Sequence, residues 1–170
     1  MKLLQSPIFL ALLLVFVSCE DKSESPQMSV ERYVELLKAG KYENIELPDF
    51  SSKDIPALLS YRDETDIITG FPVNRISSSL TLDVALGMYV LWTVESIRAR
   101  SVGSEFLIGT FPSQNPVVEN REDFGYVEQN QKVRKEVADS YFDWWESNKN
   151  NDFAEFNDID PLGDTGYRWH

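Results

Sequence analysis

Cysteine and histidine are almost missing from this chain: its 170 residues include one Cys, Cys19, and one His, His170. A disulfide framework cannot be built from one thiol, so the folded part must be held together by packing. One histidine also rules out, within a single chain, the two-histidine zinc helix and the usual His-ligated transition-metal sites. A Ser-His-Asp triad would have to recruit His170 at the very end of the sequence, where a base is hard to orient rigidly. Positive charge is scarce as well. Sixteen Lys and Arg face 28 Asp and Glu, for a formal net charge of −12. Such a surface repels nucleic acid and anionic headgroups, and no nucleic-acid partner is expected. Long apolar runs are limited to Ile8–Val17, well short of the roughly 20 residues that span a bilayer.

That run is informative for what surrounds it. Lys2 is the only charge before it, and Ser18 and Cys19 are followed at once by Glu20, Asp21 and Lys22. A short apolar segment with a basic start and a small residue at its end reads as a secretory signal peptide. Phe16-Val17-Ser18-Cys19 resembles the bacterial lipobox, with Phe16 where Leu is usual. Residues 1–18 are therefore expected to be the signal peptide, and Cys19 the lipidated first residue of the mature chain. Lipidation would also account for the single thiol. Residues 20–27 contain Glu, Asp, Ser and Pro without a large apolar side chain, so 19–27 reads as the lipidated cysteine and a flexible tether. Contact with the membrane is expected through the N-terminal lipid alone.

Residues 28–170 read as one domain, long enough to bury about two-thirds of its unfolded surface. Ser29 can cap a first helix in which Val30, Tyr33, Val34 and Leu37 fall on one face, with Gly40 as terminator. Ser52 or Asp54 can cap a second, with Pro56 in its first turn and Ile55, Leu58 and Leu59 on one side. Residues 65–80 read as a loop with a buried hinge, because Gly70 and Pro72 interrupt the apolar positions. Thr81 opens the most apolar element, Leu82–Arg100, whose apolar residues cover nearly the whole helical circumference. A helix of that kind is buried among others, which makes it the expected central core element. Residues 106–112 read as coil. The last long helix is expected from about Glu128 to Asn148, with Val133, Val137, Tyr141, Trp144 and Trp145 facing inward. Phe153, Phe156 and Ile159 suggest a short helical turn. The aromatic tail Tyr167-Arg168-Trp169-His170 is expected to pack on the domain. The fold class is accordingly all-α, a compact irregular helical domain around one central buried helix, with a HEAT-like α-α superhelix fragment as the alternative.

Motifs with catalytic overtones are weak in context. Asp164-Thr165-Gly166 spells the aspartic-protease triplet, but that chemistry needs two aspartates sharing a proton, and the Gly-rich surroundings favour a turn. Asp152, Asn157, Asp158, Asp160 and Asp164 suggest calcium, yet Leu162 holds a ligand place and Pro161 stiffens the loop, so EF-hand spacing fails. No metal and no cofactor is expected. With 28 carboxylates, nothing selects the two a glycosidase would need. Trp144 and Trp145 project about 100° apart on a helix, so one is expected in the seam and the other at its edge. Trp145, Tyr167 and Trp169 are the candidate ligand-stacking aromatics, and no residue is assigned a catalytic role.

The signal segment, Ser29-Val30-Glu31-Arg32-Tyr33-Val34, Gly87-Met88-Tyr89-Val90-Leu91-Trp92 and Gly166-Tyr167-Arg168-Trp169-His170 together resemble small Bacteroidota lipoproteins that carry a helical domain of unknown function. The resemblance implies a fold and an address without supplying catalytic residues. Glu20-Asp21 also looks like the signal that sends some lipoproteins of that phylum to the outer face of the outer membrane. The expected function is a non-enzymatic binding or interaction module at the bacterial cell envelope, taking a protein, peptide or glycan. The alternatives are a carboxylate-based hydrolase of envelope or dietary polysaccharide, and an envelope scaffold.

Overall fold

A computed structural model describes residues 28–77 and 83–170. The expected signal peptide, Cys19 and the 20–27 tether lie outside the described residues, as do Thr81 and Leu82, the expected start of the central helix.

Helix α1 (Val30–Lys38) begins where the Ser29 hydroxyl accepts the Arg32 N–H at 3.2 Å, and it buries Val30, Tyr33, Val34 and Leu37. Gly40, at φ 62°, turns the chain out of the helix. A 3-10 turn at Ser52–Asp54 leads into α2 (Ile55–Leu59). There the Asp54 carboxylate accepts the Ser51 N–H at 2.8 Å, and Ile55, Leu58 and Leu59 point into the core.

The chain then leaves helical structure. Strand β1 (Ile67–Thr69) pairs antiparallel with β2 (Asp83–Ala85), with Ile68 opposite Val84. Strand β3 (Val118–Asn120) pairs antiparallel with β4 (Tyr167–Trp169), with Glu119 opposite Arg168. These two sheets overturn the all-α expectation and its HEAT-like alternative: among the described residues the fold is mixed, four helices with two small antiparallel sheets. The 65–80 segment is likewise more than a loop, since it contains β1. The physical reason is length. Three residues give a strand too few alternating positions to be seen, and each partner lies a long way off along the chain.

Helix α3 (Leu86–Val102) starts four residues later than expected, directly from β2. No side chain caps it. Its first amides are instead satisfied by the preceding turn, Leu86 N–H donating to the Asp66 carbonyl at 2.8 Å and Gly87 N–H to that of Glu64 at 2.9 Å. Gly87 permits this approach, because a Cβ there would stand 2.3 Å from the Arg62 carbonyl oxygen. Gly87→Ala is therefore expected to destabilise the fold by about 1–3 kcal/mol through backbone displacement. A urea midpoint lowered at unchanged slope would be the signature; an unshifted midpoint would contradict the close approach.

Thirteen of the 17 residues of α3 are buried, so it is the central element the sequence indicated. It packs on α2 and α4 (Gln131–Asn148), the latter capped by Asn130, whose side-chain Oδ1 accepts the Val133 N–H at 3.1 Å. Residues 104–117 wrap along α3. Ser96 donates its hydroxyl proton to the Thr110 carbonyl, and Trp92 Nε1 donates to Ser113 Oγ at 2.8 Å. Within this wrap Ile108 and Phe111 form an isolated bridge and no named strand. After α4, a 3-10 turn (Phe153–Glu155) brings Phe156 against Trp144, with ring centroids 5.3 Å apart, and β4 closes the fold.

Candidate functional site

A carboxylate inside an apolar helix must find a partner or lose its charge. Glu95 sits in α3 at 7% exposure, and Arg98, one turn along, supplies the partner. The guanidinium forks onto it, Nε donating to Oε2 at 2.9 Å and Nη2 to Oε1 at 2.6 Å. Burial alone would lower the Arg98 pKa, but the hydrogen bonds and charge of Glu95 outweigh it and the pKa is raised. Tyr141 of α4 donates its hydroxyl proton to Glu95 Oε2 at 2.8 Å, and its own oxygen accepts Trp169 Nε1–H at 2.8 Å. Burial pushes the Tyr141 phenol well above the ordinary tyrosine value, and the Glu95 charge adds to the effect. One polar relay thus ties α3, α4 and β4 together.

Above this relay opens a cleft of about 450 Å³, walled by α3, the 104–114 wrap and β4. Its charges, Glu105 excepted, come in pairs. Arg121 donates through Nη2 to Asp160 Oδ2 at 2.7 Å and through Nε to the Tyr167 carbonyl at 3.0 Å. Arg168 approaches Glu119 at 3.3 Å, and its guanidinium lies 4.9 Å from the centre of the Phe124 ring. Phe124 is 59% exposed and has φ 58°, the left-handed region that a bulky side chain rarely adopts. Holding such a residue there costs about 1–3 kcal/mol of backbone strain, which the turn between Asn120 and Gly125 must offset.

His170 shares the cleft wall, with Nδ1 2.8 Å from Asn115 Nδ2 and Nε2 3.9 Å from Glu119 Oε2. It also lines a second, more apolar cleft of about 570 Å³, bounded by Ile67, Met88, Val117, Tyr126 and Arg134. The two clefts therefore adjoin at His170.

Of the aromatics singled out from sequence, Trp169 stands in the wall of the first cleft, 8% exposed and bound to Tyr141. Trp145 is half-buried elsewhere, its ring 6.1 Å from Trp144 and 6.0 Å from Phe156. Trp144 fills the seam and Trp145 its edge, as the helical spacing indicated. Tyr167 is half-buried and lines neither cleft. The structure thus brings one of the three to a cleft.

Sequence reasoning missed Glu95, Arg98, Arg121, Arg168 and Phe106. A signal existed for the first two: Glu95 and Arg98, at i and i+3, place opposite charges in a helix whose apolar residues cover nearly its whole circumference. Asp164-Thr165-Gly166 lies in a turn, with Thr165 Oγ1 donating to the Leu162 carbonyl at 2.8 Å. Among the described residues, no group of three or more His, Cys, Asp or Glu is placed to hold a metal ion, and no helix is long and apolar enough to cross a membrane.

The family described as a domain of unknown function, DUF4943, matches this chain over residues 24–170. The chain belongs to that family. No curated protein and no solved structure matches it. Every residue of both clefts lies within the matched span, and Cys19 lies before it. The match thus bears on the domain and not on Cys19.

Proposed function

We propose that this chain is a non-enzymatic binding module of the bacterial cell envelope, held at the outer membrane by lipid on Cys19 and taking its ligand in the cleft between α3, the 104–114 wrap and β4. The observation that carries this reading is the way the cleft is built. Glu95, Arg98, Arg121 and Asp160 are already held in forks and relays, so little of their conformational freedom is lost when a ligand arrives. A carboxylate hydrolase has less support. It needs two carboxyls free to give and take protons, whereas both oxygens of Glu95 accept hydrogen bonds from Arg98 or Tyr141 and Asp160 accepts from Arg121, which leaves Glu105 alone among the carboxylates lining the cleft.

Calorimetric and Trp-fluorescence titration of the soluble domain with peptide and oligosaccharide panels should show saturable binding without turnover. Arg168→Ala should weaken that binding in a protein that thermal melts still show folded, with some stability lost as Glu119 gives up its ion-pair partner. Turnover lost in an Asp→Asn or Glu→Gln variant would sink the binding-module reading in favour of the hydrolase. For the anchor, Cys19→Ala should move the protein from the membrane to the soluble fraction. Membrane-extracted protein with an unmodified Cys19 mass would remove the lipid from the account.

A further inference from the structure

On a chain with a net charge of −12, both clefts are balanced. The first sets Arg98, Arg121 and Arg168 against Glu95, Glu105 and Asp160, and the second sets Arg134 against Asp83. A polyanion would meet carboxylates there and an acidic surface around them, while a polycation would have to displace arginines already in place. What such a surface offers is a set of planar hydrogen-bonding groups without net charge.

The apolar side chains beside them are exposed in a way a folded chain does not need. Phe106, 66% exposed, stands at the first cleft, and Tyr126, 87% exposed, at the second. Ile67 and Ile108, also exposed, line the same two clefts. Other exposed apolar side chains, such as Ile45, Ile76 and Ile159, lie away from these clefts and need no explanation, whereas Phe106, Ile108, Ile67 and Tyr126 line adjoining clefts and give them an apolar contact surface. Flat rings beside planar hydrogen-bonding groups suit a ligand with an apolar C–H face and hydroxyls around its edge.

We propose that the two clefts are consecutive subsites for a neutral oligosaccharide, with Phe106 and Tyr126 stacking on sugar rings on either side of His170. This inference rests on the binding-module reading and names its ligand class. Arg121 and Arg168 line the first subsite, where the guanidinium N–H groups not engaged by Asp160, Tyr167, Leu162 and Glu119 can donate to sugar hydroxyls.

The test is calorimetric titration of the domain with neutral hexasaccharides (cello-, xylo-, manno-, malto- and N-acetylchitohexaose), polygalacturonate and a random hexapeptide pool, at low and high salt. At least one neutral hexasaccharide should bind, more tightly than its disaccharide and with little salt dependence. Phe106→Ala or Tyr126→Ala should each weaken it about tenfold, as loss of a stacking platform would. Both side chains are exposed, so thermal melts should show the variants folded, and Tyr126→Phe should retain binding. Salt-sensitive binding of polygalacturonate in place of the neutral sugars would overturn the inference, as would alanine variants of unchanged affinity. Binding of hexapeptides with the sugars inert would overturn it too, while leaving the binding-module reading in place. If none of the probes binds, both fall.

Discussion

Glu95→Ala is expected to cost the fold about 3–5 kcal/mol, a large part of the stability of a domain this size. The loss comes less from the missing attraction than from what stays behind. Arg98, whose side chain is 15% exposed, would keep its charge without its counter-ion, and Tyr141 would keep a hydroxyl proton with no acceptor. The expected readout is a much lower urea midpoint, together with altered Trp fluorescence as Trp169 loses its fixed partner. A compensating double change, Glu95→Leu with Arg98→Met, removes both charges at similar volume and should recover most of the loss. If the single variant were as stable as the parent, the buried pair would have no role in holding α3 to α4 and β4. If the double variant were no better than the single, the cost would lie in packing and not in an orphaned charge.

Alkaline pH should unfold the protein steeply. Tyr33, Tyr89 and Tyr141 are fully buried, and each has its pKa raised, chiefly by desolvation of the phenolate. The unfolded chain gives up these protons near pH 10, while the folded chain retains them. Stability from these groups is therefore fully present below about pH 10 and is lost as pH climbs toward the folded values. Each tyrosine contributes a slope of about 1.4 kcal/mol per pH unit, so three together remove about 4 kcal/mol per unit. Urea midpoints measured across this range, with phenolate absorbance followed in parallel, should show absorbance rising together with unfolding. Tyr33→Phe should lower the slope by about a third, although it also gives up the hydrogen bond with Thr93 at 3.1 Å. A midpoint that stayed level to about pH 11 would mean that these phenols ionise inside the folded state.

The legible parts of the fold share a physical character. Ser29 as cap, the apolar face of α1, the all-round burial of α3 and the inward stripe of α4 are set by neighbours within a turn or two. Local spacing is enough to read them. The start of α3 was not legible, because its first amides bond to Glu64 and Asp66 rather than to a capping side chain near Thr81. The strands were hidden for a related reason. Tyr167–Trp169 becomes β4 only because Val118–Asn120 lies beside it, and nothing within the tripeptide specifies that partner. The aromatic tail was correctly expected to pack on the domain, but its hydrogen-bonding role was not.

The candidate site divides the same way. Glu95 and Arg98 were readable in principle as an i, i+3 ion pair set in an apolar helix. Arg121 with Asp160, Arg168 with Phe124 and Tyr141 with Trp169 join residues far apart in the chain. Choosing among 28 carboxylates and eight arginines by sequence offered no means of pairing them.

Near absence of Cys and His was decisive from the start, since it denied the chain disulfides and the common histidine-based metal and nucleophile sites whatever its fold. Amphipathic spacing likewise determined where α1 and α4 lie and that α3 is the buried centre, because helical periodicity is a local property. Tertiary structure alone decided that the fold is mixed, that paired charges from α3, the β3–β4 sheet and the 160 region meet at a cleft, and that Phe106 and Tyr126 remain exposed at that cleft and its neighbour. Those outcomes depend on contacts between distant segments, and their energies enter only once the chain has closed around α3.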